Sequence, residues 1–380
     1  MFERGWNVVK VFLAPAYLRT LLAAFGAAGI LLCPIAARAT ENSDQLSFWK
    51  APFARPNKTI ADLPSCPPPP KAPIKLTIGS MYADGDESYS KVVAAQKMAR
   101  AESLAPIREF TAGVSRFANR YVASGGKDTY SGGCALVWLN DWARAGAMRN
   151  MAEHESQFVR SVNLSGWALA YSQVRYLQVQ RNSPHYAIRQ WLRSTAEDMR
   201  SHVNGVTNNT ARNNHRYWAG LAAIAVSMDT GDVSLGAFGL ESARVGIAQV
   251  TSDGVLPLEL DRKSRAAHYH LYAAAPLVMT AAIARANGID LYAEQHGALH
   301  RLVRFATEAV IWPGRIEALA HARQDVFNLN SSIAQQNLAW FEFYARDFPN
   351  RAPEQKAILR VRPLRNNELG GDLTMLAASN

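Results

Sequence analysis

The chain has 380 residues, 48% of them hydrophobic, and carries 41 lysines and arginines against 31 aspartates and glutamates, a formal net charge of +10. That length allows one large domain or two, and the positive balance points to a polyanionic partner, with a merely basic surface as the bland alternative. The chain has no nucleic-acid recognition motif and no Lys/Arg block, its nine histidines form no His-Glu-x-x-His pattern and its three cysteines have no zinc-type spacing, so neither nucleic acid, metal nor other cofactor is expected.

At the amino terminus Arg4, Lys10 and Arg19 lead into a mostly apolar stretch, 21–35, that ends in Ala37-Arg38-Ala39, the small-x-small pattern of a signal-peptide cleavage site. Residues 1–39 are therefore expected to be an export signal cut after Ala39, delivering the chain to the periplasm. A retained membrane anchor is the competing reading, but Gly26, Gly29 and Pro34 interrupt the run and it falls short of the roughly 20 residues of a span. Arg4, Lys10, Arg19 and Arg38 against Glu3 put a net +3 on this segment, which leaves about +7 on the mature chain. Cys33 leaves with the signal, so Cys66 and Cys134 remain. In an oxidising compartment this even pair is expected to form a disulfide tying the amino-terminal arm to the body, with two free thiols as the alternative.

Residues 40–73 are rich in proline, consecutively so at 67–70, and should be extended and polyproline-like. Asp84, Asp86 and Glu87 around Gly85 read as a solvated turn, since their spacing does not fit an EF-hand calcium loop. From there apolar residues recur at helical spacing through 89–123, 133–148, 157–180, 185–203, 217–228, 235–249, 266–286, 299–310 and 331–345. Strand-like alternation is scarce. The expected fold is all-α, with residues 74–380 forming one α/α toroid rather than two domains, and a monomer is the default.

Two segments carry polar chemistry. Asn213-Asn214-His215-Arg216-Tyr217-Trp218 precedes an Ala/Ile/Leu/Val-rich run, so one asparagine reads as a helix N-cap. His215 then sits in the first turn, where the helix dipole disfavours the imidazolium. In the second segment, 265–272, helical spacing puts Arg265, His268, Tyr269 and Tyr272 on one stripe, while His270 points roughly 140° away from Arg265. A stripe of Arg, His and Tyr is not a usual core face, because each polar group needs a buried partner. The alternative is packing, the commoner role of aromatic residues at this spacing. An amide, imidazoles, a guanidinium and phenols are the groups needed to neutralise a sugar carboxylate and move a proton.

Taken in order, several strings resemble polysaccharide lyase family 5, the periplasmic mannuronate-cleaving alginate lyases. They are Ser80-Met81-Tyr82 followed by Asp86; Gly113-Val114-Ser115-Arg116 with Arg120-Tyr121; Cys134, Trp138, Leu139 and Trp142; Asn213-Asn214-His215 with Tyr217-Trp218; Gly254 with Glu259-Leu260; and the segment 265–272. Ala286-Asn287-Gly288-Ile289-Asp290-Leu291, Trp340 with Glu342 and Leu369-Gly370-Gly371-Asp372 complete the series. The resemblance implies a toroid with its cleft along the axis, a disulfide at positions similar to Cys66 and Cys134, and Asn214, His215, Arg265 and Tyr272 as catalytic residues. It also implies an anionic polysaccharide substrate. One departure stands out: family members usually carry a lysine between the Ser and Tyr of the cleft-covering loop, where this chain has Met81.

β-Elimination at a 4-linked uronate removes a C5 proton that is barely acidic beside a charged carboxylate, so that charge must be neutralised as the enolate forms. Arg265 and Asn214 suit the neutralising role. In mannuronate and glucuronate the C5 hydrogen and O4 lie on the same side of the ring, so Tyr272 is a candidate for both base and acid, with His215 stabilising the carboxylate or acting as the base. A phenol near pKa 10 needs Arg265 close by to act as a base near neutral pH. Tyr82, Arg116, Trp142, Trp218, His268 and Tyr269 are candidate substrate contacts. Trp167 and Trp340 are further stacking candidates, no more than two of the four tryptophans being expected in the cleft, and Arg144 and Arg149 are candidates for outer subsites. Two rivals remain: a glycoside hydrolase, which needs two positioned carboxylates such as Glu259 and Asp261, and a non-catalytic exopolysaccharide-binding protein.

Overall fold

The structure, a computed structural model, describes residues 49–349, 351 and 353–379; the expected signal segment, its cleavage point and residues 40–48 of the arm lie outside them. The described residues fall in one compact unit.

The arm enters as extended backbone and is fixed at four places along its length. Strand β1 (Lys58–Ile60) pairs in parallel with a later strand, Leu177–Val179. Cys66 is bonded to Cys134. The indole N–H groups of Trp138 and Trp142 donate to the carbonyls of Pro67 (2.8 Å) and Pro70 (2.9 Å). A proline-rich segment has few N–H groups to build a ladder of its own, so its carbonyls are free to accept from outside. Strand β2 (Lys75–Leu76) then leads to the loop that reaches the cleft.

The body is a succession of helices: α1 (Ala94–Ser103), α2 (Ala105–Ala123), α3 (Thr129–Ala145), and, after strand β3 (Asn150–Met151), α4 (His154–Val174). Strand β4 (Leu177–Val179) receives the arm, and α5 (His185–Asn204), α6 (Asn214–Thr230), α7 (Val233–Gln249), the single turn α8 (Pro257–Leu260), α9 (Ala266–Ala286) and α10 (Ala298–Ile311) follow. Helices α4, α6 and α9 are buried on nearly every side, and α6 packs on α4, α5, α7 and α9. α5 is apolar on one face only, buried through Ile188, Trp191, Leu192, Thr195, Ala196, Met199 and Val203. An apolar-all-round helix belongs inside and an amphipathic one outside, and this two-layer arrangement is the α/α toroid.

Close approach within it depends on glycine. A Cβ on Gly220 of α6 would stand 2.5 Å from that of Ser242 in α7, and one on Gly239 would stand 2.8 Å from the Gly220 carbonyl. On α4 a Cβ at Gly166 would stand 2.4 Å from the Asn367 carbonyl, so only glycine admits the carboxy-terminal hairpin of β5 (Arg365–Asn366) and β6 (Gly371–Asp372) against the inner helix.

The sequence periodicity misplaces several boundaries. The stretch 89–123 is two helices starting at Ala94, divided at Leu104 because Pro106 sits in the first turn of α2, where no N–H is required. The stretch 157–180 ends as a helix at Val174 and becomes β4. The stretch 331–345 divides into α12 (Ser332–Leu338) and α13 (Phe341–Asp347). Helices α11 (Gly314–Ala320), α14 (Gln355–Leu359) and α15 (Leu373–Ala378) are too short to show a period.

Candidate active site

The cleft is a cavity of about 290 Å³ between the first turns of α4 and α6, the segment 262–272 and the loop after β2. That loop is shaped by Asp86, whose carboxylate accepts from the backbone N–H groups of Ser88 (3.2 Å), Ser90 (2.7 Å) and Lys91 (2.6 Å). The acidic cluster is thus a self-satisfied turn. It presents Tyr82 to the cleft, held by an isolated antiparallel bridge to Val92.

Asn213 caps α6, its side chain accepting from the His215 N–H at 3.0 Å. The His215 ring lies on Phe158, with centroids 3.8 Å apart and planes 16° from parallel, and runs parallel to His154 at 5.3 Å. Burial first, then the neighbouring His154, Arg262 and Arg100, hold its pKa well below that of a free imidazole. The ring is neutral at neutral pH.

Arg265 ends a 3₁₀ turn and caps α9. Its guanidinium donates to the Tyr82 hydroxyl, which lies 2.5 Å from the Tyr269 hydroxyl. Tyr272, one turn further, rests against Trp218 (5.1 Å) and parallel to His268 (5.9 Å). Burial, with Glu368 and Tyr269 adding to it, pushes its phenol well above the ordinary value against the opposing Arg100. Tyr272 is therefore protonated. Burial and Arg265 hold His268 at about 3, so it too is neutral. His270 points away from this stripe into the protein interior.

The structure thus gathers Tyr82, His215, Arg265, His268, Tyr269 and Tyr272 around one cavity. Asn214 is not in the cavity lining: it is fully buried, and its amide nitrogen donates to both carboxylate oxygens of Glu259 (3.0 and 3.1 Å) while its backbone N–H donates to the same group at 2.9 Å. The first N–H groups of a helix need an acceptor; here a buried carboxylate captures them and draws the side chain behind the cleft wall. Trp142 is likewise outside the cavity lining. It is a core residue, stacked on Phe110 at 3.6 Å, with its N–H given to the arm. Trp218 backs Tyr272 from the interior, Trp167 and Trp340 are fully buried, and none of the four tryptophans lines the cleft. Arg116 is exposed on α2 over the Phe117 ring, away from the cavity lining.

Sequence reasoning missed Arg262, which is 9% exposed and stacks on the rings of Tyr269 (4.6 Å) and Tyr89 (5.0 Å) in the cleft wall. Its offset of three from Arg265 and seven from Tyr269 was a legible signal. His154 was missed because α4 begins three residues before the apolar period does, and Phe158 because a phenylalanine inside that period reads as core. Arg100, paired with Glu155 at 2.9 Å, had no local signature. Glu155 is the only carboxylate among the described lining residues. Glu259 is buried and engaged by Asn214, and Asp261 is exposed outside the cavity lining, so the pair of facing carboxylates needed by a hydrolase is not built here.

A histidine, a tyrosine and two arginines gathered in the cleft of an α/α toroid suit a polysaccharide lyase, and the chain's relatives are of that class. Residues 80–315 match the alginate lyase family model, and the chain belongs to that family. It is 34% identical over 322 residues to a polysaccharide lyase of Stenotrophomonas maltophilia, covering 82% of this chain and 91% of that one. It is 30% identical over 322 residues to an alginate lyase of Azotobacter vinelandii, with coverages of 83% and 84%. Among solved structures it is similar to alginate lyase A1-III from Sphingomonas species A1, with a TM-score of 0.70 at 25% identity over 82% of this chain and 86% of that one. A variant of A1-III complexed with a tetrasaccharide has the same fold, with a TM-score of 0.71 at 24% identity over 82% and 85% of the two chains.

Proposed function

We propose that the protein is a periplasmic lyase that cleaves β-1,4-linked mannuronate in alginate, or the related polyglucuronate, by syn β-elimination, leaving a 4-deoxy unsaturated uronate end. The observation that carries this reading is the placement of neutral His215, protonated Tyr272 and the Arg265 guanidinium around one cavity. The relatives named alginate lyase point to the same polymer.

In this reading Arg265, with Arg262 beside it, faces the substrate carboxylate and offsets the charge that builds as the C5–H bond breaks. His215 is in the form that accepts a proton, and Tyr272 is in the form that donates one. The electron pair of the C5–H bond becomes the C4=C5 double bond, the C4–O4 bond breaks, and O4 takes the phenolic proton. Burial favours this division over a tyrosine that does both, because an un-ionised phenol must first lose its proton to act as base. Asn214, held by Glu259, positions the helix end that carries His215. Met81 occupies the cleft wall where family members usually have lysine, which favours a broader choice of uronate.

Export is supported by the signal pattern in 1–39 and by the Cys66–Cys134 bond, which persists in oxidising compartments. The test is ultraviolet absorbance of the new double bond on polymannuronate, polyguluronate, polyglucuronate and hyaluronate, with Tyr272→Phe alongside. A rise on a syn-configured polymer that vanishes in the variant is expected; intact binding without any rise would move the assignment to a binding protein. In deuterated solvent, Tyr272→Phe should still exchange the C5 hydrogen if His215 is the base.

A further inference from the structure

On the far side of the α4 start from the catalytic cavity lies a second depression, of about 420 Å³, whose wall carries Lys75, Arg149 and Arg160 against one carboxylate, Asp198. The pairing of Lys75 with Asn150 in the β2–β3 ladder brings the lysine beside Arg149. Arg160 is only 2% exposed, with one guanidinium nitrogen 2.5 Å from the Gln157 side-chain oxygen and with its Nε buried and unpartnered among the described residues. None of the three cations has a carboxylate of the described residues within 4 Å, and Asp198 offsets the burial of Arg160 only in part and from a distance. A buried guanidinium with a spare donor, flanked by two free surface cations, is a partial anion site: taking charge out of water is costly unless a counter-charge completes it.

Between this depression and the catalytic cavity lies a small gap of about 20 Å³ at the start of α4. Its lining shares Gln157 with the depression and His154, Phe158 and His215 with the cavity, so the two sites flank the same two turns of α4. Along α4 the six residues from His154 to Arg160 rise about 9 Å, so a carboxylate held by Arg160 belongs to a different sugar from the one at His215.

Resting on the lyase reading of the cleft, we propose that Lys75, Arg149 and Arg160 form an outer subsite that binds a carboxylate of the same polyuronate chain, so that the enzyme grips long polymers more tightly than short ones. A guanidinium presents a planar fork to a carboxylate, and Lys75 adds a point charge at the rim. Arg149 was already a candidate for an outer subsite on sequence grounds; Arg144, its companion, does not line the depression.

The test compares the wild type with Lys75→Ala/Arg149→Ala, two exposed positions, on long polymannuronate and on short oligomannuronates. The double variant should raise KM on the long polymer roughly five- to tenfold, the size expected for two solvent-exposed charge contacts, with kcat and the short-substrate KM unchanged. Asp198→Asn, which removes the one carboxylate, should tighten the long polymer about two- to threefold, a gain that misfolding does not produce. An equal KM change on long and short substrates, or none on either, overturns the subsite. Equilibrium binding of the same polymers is measured in parallel. If the wild type turns over no polyuronate, the lyase reading fails, while a length-dependent affinity lost in the double variant still supports the subsite and its absence still refutes it.

Discussion

His270 offers the sharpest test of the physical reasoning, because its tautomer is fixed from both sides. Its Nε2 accepts the Leu256 N–H at 3.1 Å, and its Nδ1 lies 2.8 Å from the Ala266 carbonyl, so the proton sits on Nδ1 and Nε2 keeps its lone pair. Protonating Nε2 would set an N–H against an N–H in a fully buried site. Burial accordingly brings the pKa down from 6.5 to about 4, opposed by the bond to Ala266. The folded state keeps the ring neutral while the unfolded chain charges it below about 6.5, so the contribution is fully present above that value and is lost as pH falls towards 4. Linkage between these two values gives a loss of about 2 kcal/mol by pH 5 and about 3 kcal/mol by pH 4. Urea unfolding at pH 7 and pH 5 measures it. His270→Gln retains an acceptor but does not titrate, so it should lose about 2 kcal/mol less than the wild type between the two conditions. Other titrating groups cancel in the comparison. Equal losses in the two proteins would refute the assignment. The bond also ties the α8 turn to α9, and with it the segment holding Arg262 and Arg265, so the wild type should lose activity in step with this local loosening.

Glu259→Leu leaves the Asn214 amide and N–H and the Arg262 guanidinium, 3.8 Å away, without their buried acceptor; it should cost about 3–5 kcal/mol, read by thermal or denaturant unfolding, whereas Glu259→Gln should cost less. With the His215 pKa held well below 6.5 by burial, the acid limb of kcat/KM should lie below 6.5, and a His215-dependent limb at or above that value in the pH profile would contradict a buried neutral base. Met81→Lys adds a cation to the cleft wall and should lower KM on polymannuronate about two- to fivefold at low salt, an advantage that shrinks as ionic strength rises. Trp142→Phe keeps the stack on Phe110 but removes the N–H that meets Pro70; about 1 kcal/mol of stability should go, seen in a thermal melt, with KM unchanged.

The sequence by itself determined the all-α class, the Cys66–Cys134 pairing and the stripe of Arg265, His268, Tyr269 and Tyr272. Each is a local or combinatorial signal: helical period, the two cysteines that lie outside the expected signal segment, and a spacing that a helix turns into one face. The helix over 266–286 is legible to its ends because it is long and apolar. The hairpin against Gly166 and the short α11, α14 and α15 were not, since pairing across distant chain and helices of one or two turns leave no period to read. Only the tertiary structure decided which polar residues reach the cleft. Asn214 and Trp142 have the right chemistry and resemble functional positions, yet Glu259 and the proline arm claim their donors. His154 and Phe158 come to His215 from elsewhere in the chain. Whether a side chain meets solvent or a buried partner depends on what packs against its helix, and that partner is set by long-range contacts that no local spacing records.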